Sequence, residues 1–202
     1  LMLQVDKLYF DVDEILFNVL KLERYWIKRF DIPFYTLSRN AYLDGKTEKY
    51  YKHLKHRNEK LISNFANVYI SIQEYLEEYF GEPVFLYHDY SVPGFHIFES
   101  NEAFLNFPSN WHTDYPHKTL GIDSKEIYSF TYVIDIPSCG AGLEYKDRDK
   151  IKYLEYNVGD FIFHSGDFLH NIAPLKECKP NEYRITLQGH VTRDKDRLIM
   201  FW

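Results

Sequence analysis

The sequence is poor in cysteine: Cys139 and Cys178 are the only two in 202 residues. Two thiols cannot build a disulfide framework, so a small cysteine-stapled secreted scaffold is excluded. Long apolar runs are also missing. No stretch approaches the roughly 20 apolar residues that cross a bilayer, and no secretory leader pattern is visible, which predicts a cytoplasmic protein with no membrane partner. A basic excess is lacking as well, with 24 Lys and Arg against 30 Asp and Glu, a net charge of −6 and a pI near 5.8. Nucleic acid is therefore not the expected main partner, because a phosphate backbone calls for a concentrated basic face. The one basic cluster, Lys52, Lys55, His56, Arg57 and Lys60, is interleaved with acids and reads as a solvated helix face. No internal period marks a repeat protein.

Aromatic side chains, by contrast, are abundant: 18 Tyr and 16 Phe help bring the aromatic share to 18% and the apolar share to 45%. A chain of this length and composition folds with a sizeable core, most simply as a single domain over residues 1–202. The first part, residues 1–82, reads as a mainly helical support layer. After the capping-like Asp11 and Glu14, the spacing of Leu16, Val19, Leu20, Trp26, Ile27 and Phe30 predicts a helix that ends before Pro33. A second helical stretch runs from about Glu48 to Phe80 with room for a break. It carries Leu61, Phe65, Val68, Ile72, Leu76 and Tyr79 as a stripe for packing on a sheet, stopped by Gly81 and Pro83.

Residues 83–202 change texture to short β-type runs: "VFLYH", "FHIFES", "YSFTYVID", "LEY", "KYLEY", "DFIFH" and "YRITLQGHV". Their spacing and Gly/Pro punctuation predict an antiparallel sandwich or jelly roll in an α+β protein braced by the N-terminal helices.

Within "NWHTDYP" (110–116), His112 and Asp114 lie two apart and share one face of an extended strand. The tripeptide alone is weak, since nine His and fifteen Asp in 202 residues give about 0.7 such matches by chance. A third ligand is offered by His164, His170 or His190. His170 follows a strand and turn in "DFIFHSGDFLHNIAP", an arrangement able to return it beside His112, whereas His164 ends the apolar strand and reads as a core or supporting histidine. Two imidazoles and a carboxylate suit non-heme Fe(II) with open positions, and they equally serve catalytic zinc. Arg184 and Thr186 project from one face of an otherwise apolar strand in "YRITLQGH". A guanidinium aimed into a sandwich interior is costly unless an anion meets it, and its planar fork fits a carboxylate.

Taken together, His112-x-Asp114, His170 and Arg184-Ile185-Thr186, with the turn "CGAGLEY" and the run "VGDFIFHSGDFLHNIAP", resemble the Fe(II)/2-oxoglutarate-dependent dioxygenases of the double-stranded β-helix (jelly-roll, cupin-like) superfamily. The likeness covers roughly residues 84–193 and is nearest to the phytanoyl-CoA and taurine dioxygenase type of small-molecule hydroxylase. The resemblance implies that His112, Asp114 and His170 hold Fe(II) and form the catalytic centre. It implies that Arg184 and Thr186 hold the distal carboxylate of the cosubstrate 2-oxoglutarate, which is decarboxylated with O2 to succinate and CO2. Thr131 and His96 are further candidates for the cosubstrate pocket, each set against an ordinary strand or core role. Trp111 and Tyr115 flank the motif and are candidate substrate contacts, or packing in the opposite layer. Related halogenases replace the carboxylate by Gly or Ala, so Asp114 favours hydroxylation, desaturation or ring closure of a small molecule such as an amino acid or natural-product intermediate. His117, Lys118, Arg148, Arg193 and Arg197 are expected near the mouth or on loops, able to meet an anionic substrate or simply to carry surface charge. Competing readings are a cupin-type metal-dependent isomerase or lyase, a noncatalytic binding module, and a protein-modifying 2-oxoglutarate oxygenase.

Overall fold

The computed structural model describes residues 3–105 and 110–202. Loops around 100–110, 117–127 and 146–151 are the segments expected to decide the substrate; residues 106–109 of the first, and residues 1–2, lie outside the described residues. The strands are β1 (Leu3–Lys7), β2 (Trp26–Arg29), β3 (Phe34–Leu37), β4 (Val84–Leu86), β5 (Gly94–Glu99) and β6 (Ile127–Asp135). They continue as β7 (Leu143–Asp147), β8 (Lys150–Leu154), β9 (Asp160–Ser165), β10 (His170–Ile172), β11 (Tyr183–Asp194) and β12 (Arg197–Phe201). The helices are α1 (Val12–Lys21), α2 (Ala41–Asp44), α3 (Glu48–Tyr51), α4 (Leu54–Phe80) and α5 (Pro116–Leu120). None is long and apolar enough to cross a membrane.

A large sheet runs β1-β9-β6-β11-β5-β3-β2, with β12 beside the far half of β11 and β4 parallel to β12. A small sheet, β10-β7-β8, completes the antiparallel jelly-roll arrangement. Period-two alternation divides the large sheet into two chemically different faces. Phe95 and Ile97 of β5, Phe130 and Tyr132 of β6, Phe161 and Phe163 of β9, and Ile185 and Leu187 of β11 share one core with Leu61, Phe65, Ile72 and Leu76 of α4. Burying each such side chain contributes about 1.5–3 kcal/mol. The alternate residues, His96, Thr131, His164, Arg184 and His190, line a cavity instead.

The strand positions read from the sequence reappear in β4 to β9 and β11. The N-terminal part departs from expectation. Trp26, Ile27 and Phe30 do not continue α1: the helix stops at Lys21, and after a 3-10 turn at Glu23–Tyr25 the chain enters β2. Trp26 and Ile27 pair with Leu37 and Thr36 of β3, which in turn pairs with β5. Phe30, with φ of 58°, and Pro33 make the hairpin turn, geometry a helix cannot follow. Residues 1–82 thus supply β1, β2 and β3 to the sheet as well as helical bracing. The Glu48–Phe80 stretch does break, at Lys52 and His53, between α3 and α4. Its stripe is buried except for Tyr79, which is 39% exposed. Gly81 closes α4 with φ of 69°, a left-handed residue that glycine adopts without strain.

Candidate active site

His112 and Asp114 do not sit in a regular strand. His112 forms an isolated antiparallel bridge with His170 at the start of β10, through paired backbone hydrogen bonds of 3.0 Å each. The Asp114 N–H donates to the carbonyl of Gly166 at 2.8 Å, which fixes the other end of the motif against the β9–β10 turn. A side chain at Gly166 would meet the Asp114 carbonyl at 2.6 Å and Ile127 Cγ2 at 2.2 Å, so glycine permits this close approach. Backbone pairing thereby carries His112, Asp114 and His170 to one point. Their ligand atoms lie within 4.8 Å of one another, a donor set fit for one metal ion.

The imidazoles are oriented for that role. His112 Nδ1 faces the Asn110 carbonyl at 2.9 Å and His170 Nδ1 faces the Phe168 carbonyl at 2.7 Å. A carbonyl only accepts, so each Nδ1 carries the proton and each Nε2 presents a lone pair. Those Nε2 atoms lie 3.8 Å and 3.9 Å from the Asp114 carboxylate oxygens. His164 repeats the pattern: Nδ1 on the Ser165 carbonyl at 2.9 Å, Nε2 at 4.0 Å from Asp114 Oδ2. It stands beside the bridge-paired set rather than in it. His190, the remaining candidate, bonds Ser129 Oγ through Nδ1 at 2.9 Å, while its buried Nε2 has no partner among the described residues.

Electrostatics favour metal-ready protonation states. Burial raises the Asp114 carboxyl, but the surrounding His170, His190, His164 and His112 rings outweigh it and hold the group below the usual carboxylate range. Burial lowers His170 to about 4 despite the opposing Asp114 charge, and lowers His190 to about 4 likewise. Burial also lowers His164, again against Asp114. His164, His170 and His190 are thus neutral near pH 7, which leaves His170 available as a ligand.

The other end of the cavity is built by β11. Arg184 is 2% exposed; its Nε donates to the Ala141 carbonyl at 3.0 Å and its Nη1 to Thr186 Oγ1 at 3.4 Å. Phe98 and Tyr156 present rings at 5.6 Å and 5.4 Å from the guanidinium carbon. No carboxylate of the described residues forms an ion pair with it. Arg184 lines the cavity of about 470 Å³ that also holds His112, Asp114 and His170. Thr131 and His96 line this cavity too, whereas Thr186 stands behind Arg184 as its hydrogen-bond partner. His96 lies 3.3 Å from the Asn40 amide, and burial, followed by the Arg184 charge, pushes it well below the ordinary histidine value.

Trp111 and Tyr115 are not among the lining residues. Lys146 sits over the Trp111 ring at 5.5 Å, and Lys118 over the Tyr115 ring at 4.2 Å, so both flanking aromatics face charged side chains elsewhere. Two of the candidates expected near the mouth or on loops fall within elements: His117 in α5 is buried at 1% exposure, and Arg193 in β11 pairs with Glu82.

Sequence reasoning missed Tyr42. From α2 its hydroxyl donates to Asp114 Oδ1, and burial, then the Asp114 charge, raises the phenol well above its usual value, so it stays protonated. Tyr156, buried beside Arg184, was missed as well. Tyr42 lies near no motif, and only the N-cap Asn40, whose Oδ1 accepts from Leu43 N at 2.9 Å, marks the turn that delivers it; Tyr156 ends the run "KYLEY" just before "VGDFIFHSGDFLHNIAP".

No family model matches the sequence, and no curated protein matches it. Solved structures do resemble it. An N-substituted L-amino acid dioxygenase of Burkholderia ambifaria in complex with alpha-KG aligns over 99% of this chain and 86% of its own, with a TM-score of 0.58 and 13% identity. An oxidoreductase of the 2OG-Fe(II) oxygenase family from Burkholderia pseudomallei covers 92% of this chain and 82% of its own, at a TM-score of 0.56 and 12% identity. A prolyl hydroxylase of Trichoplax adhaerens, in complex with a peptide fragment, covers 96% and 84%, at 0.52 and 11%. The jelly-roll core that brings His112, Asp114 and His170 together is thus the fold of the 2OG-Fe(II) oxygenases.

Proposed function

We propose that this protein is a non-heme Fe(II)/2-oxoglutarate-dependent dioxygenase that hydroxylates, desaturates or cyclises a small molecule such as an amino acid or natural-product intermediate. The observation that carries the reading is Arg184: a buried guanidinium without a carboxylate, lining the same cavity as three metal-ready donors. A metal site alone would suit an isomerase or lyase of cupin type, which has no need of such an arginine. The donor chemistry fits Fe(II), and the arginine fits the distal carboxylate of a dicarboxylic acid.

In this reading His112, Asp114 and His170 hold the metal, with Tyr42 fixing one carboxylate oxygen of Asp114. Arg184, steadied by Ala141 and Thr186, orients 2-oxoglutarate, and Thr131 and His96 complete that end of the pocket. Bound Fe(II) and 2-oxoglutarate would supply the oxygen activation, with release of succinate and CO2. Phe34, Phe98, Phe104 and Leu175 give the cavity an apolar wall that keeps water from the reacting bond. The cavity volume of about 470 Å³ suits a compact substrate.

The test is succinate formation from 2-oxoglutarate, followed by proton NMR with Fe(II), ascorbate and air while small-molecule candidates are screened. We expect slow uncoupled turnover and a marked stimulation by the true substrate. Absence of both Fe(II) binding and 2-oxoglutarate binding in calorimetry would refute the assignment.

A further inference from the structure

The basic residues set aside in the sequence as a solvated helix face do not simply face solvent. Lys52, His56, Arg57 and Lys60 line a groove of about 1370 Å³ together with residues of β2, the β3–α2 turn and α3. Within it Asp44 is taken up by Arg29 and Arg39. That leaves Lys28, Lys49, Lys52, Arg57 and Lys60 facing the single carboxylate of Glu48. With seven cations and two carboxylates in the lining, the groove stands at +5, and in a chain of net −6 the rest of the molecule stands at −11.

Like charges are held together here by the fold. The left-handed His53, with φ of 58°, reverses the chain between α3 and α4 and brings Lys49 and Lys52 beside Arg57. Arg57 donates through its two terminal nitrogens to the carbonyls of Lys52 and Tyr50, while its buried Nε has no partner among the described residues. Burial, then the charge of Arg39, lowers the Arg57 value, as expected for a guanidinium crowded by cations. Lys60 rests on the Tyr25 ring at 4.0 Å rather than on an acid. Gathering cations without counter-charge costs stability, and an anion filling the groove offsets that cost.

The groove adjoins the active-site cavity, since Phe30 and Leu43 line both. We propose that it binds a phosphate-bearing arm of the small molecule oxidised in the adjoining cavity, an inference that rests on the oxygenase reading above. Several lysine point charges with one arginine fork match a compact, multiply charged phosphate group; one carboxylate is served by one arginine. A long polyanion is disfavoured, since beyond the groove it would run onto the strongly acidic remainder of the surface.

Calorimetric titration of the full chain with pyrophosphate, at low salt, tests this. We expect binding to the wild type, at least tenfold weaker binding to the Lys49→Glu/Lys52→Glu variant, and less than twofold change for Lys150→Glu on exposed β8. Lack of pyrophosphate binding, or equal weakening by both variants, would overturn the groove site. Tighter binding of hexaglutamate than of pyrophosphate would overturn the phosphate assignment in favour of an acidic peptide. Affinity for oligothymidylate that climbs with length would do so in favour of nucleic acid. Binding of Fe(II) and 2-oxoglutarate is measured on the same samples and should be equal in all three proteins. If that binding fails everywhere while pyrophosphate still separates the variants, the oxygenase reading falls and the anion site stands. The opposite pattern removes the groove proposal alone.

Discussion

Arg29 and Arg184 are both buried, at 7% and 2% exposure, yet they live in opposite circumstances. Arg29 forks onto Asp44 with two bonds of 3.0 Å and 2.8 Å, and its Nε reaches Thr36 Oγ1 at 2.9 Å. Arg39 and the Asn40 N–H add to the same carboxylate. Burial raises Asp44, but Arg29 and Arg39 together bring it below its ordinary value. Every partner is supplied by the chain, and the cluster pins α2 to the β2–β3 hairpin. Arg184 instead has a carbonyl, a hydroxyl and two ring faces, but no negative charge. Breaking the Arg29–Asp44 pair from one side leaves an uncompensated buried charge, whereas Arg184, with no carboxylate partner among the described residues, is the arginine proposed above for the cosubstrate.

That contrast can be broken experimentally. The largest effect belongs to the ligand set beyond Arg184: His112→Ala or His170→Ala should reduce Fe(II)-dependent succinate formation below detection, and full activity of His170→Ala would exclude the triad. Next comes the self-satisfied arginine. Asp44→Ala strands Arg29 and should cost about 3–5 kcal/mol in urea unfolding, as for other broken buried pairs. Arg184→Ala should invert the pattern, weakening 2-oxoglutarate by about 2–5 kcal/mol, at least ~30-fold, with Fe(II) affinity spared and a smaller stability loss than Asp44→Ala. A loss of stability equal to that of Asp44→Ala without loss of cosubstrate binding would make Arg184 structural.

Smaller effects sharpen the comparison. Tyr42→Phe removes the hydrogen bond that orients Asp114 and should weaken Fe(II) binding by about tenfold, leaving 2-oxoglutarate affinity at fixed metal saturation unchanged. The metal-free protein should also lose stability gradually in acid. His170 and His190 fall from 6.5 to about 4 on folding, so the unfolded chain binds more protons, and stability declines as pH drops from 6.5 through about 4. Asp135, raised by burial from 3.8 to about 6, opposes this between those values, but His164, His96 and His117 are lowered as well and act with His170 and His190, so the decline persists. Chemical denaturation at several pH values, with and without metal, reads this directly; stability rising toward pH 4 would contradict the assigned directions.

Much of the site was legible because β11, β6 and β9 alternate so strictly. Arg184, Thr186, Thr131 and His164 stand out as polar residues at every second position among Phe, Ile and Leu, and that period survives in the fold. The N-terminal part was less legible because two periods coincide. Val19, Trp26, Ile27 and Phe30 satisfy helical spacing, while pairing of Trp26 and Ile27 with β3 is non-local and leaves no mark of its own. Three-residue β10 is too short to show a pattern, although its His170 was read from the turn before it. Tyr42 and Tyr156 reach the site only when distant segments meet; of the basic groove the sequence shows the cluster Lys52, His56, Arg57 and Lys60, but not its meeting with β2 and the β3–α2 turn.

The unbroken course of β11 has one more consequence, for how such a chain can change over generations. Arg184, Thr186, Gln188 and His190 share one face of a single strand, and Ile185, Leu187 and Val191 the other. Inserting or deleting one codon between 184 and 190 would turn the residues beyond it over, driving polar groups into the helix-packed layer and apolar ones into the pocket. Loss or gain of two codons would preserve the facing and alter the separation of Arg184 and His190 along the strand by about 7 Å. Length variation in this strand therefore keeps its facing in even steps, or where a bulge absorbs the odd residue, as the β6 side already does opposite Ile185 and Thr186.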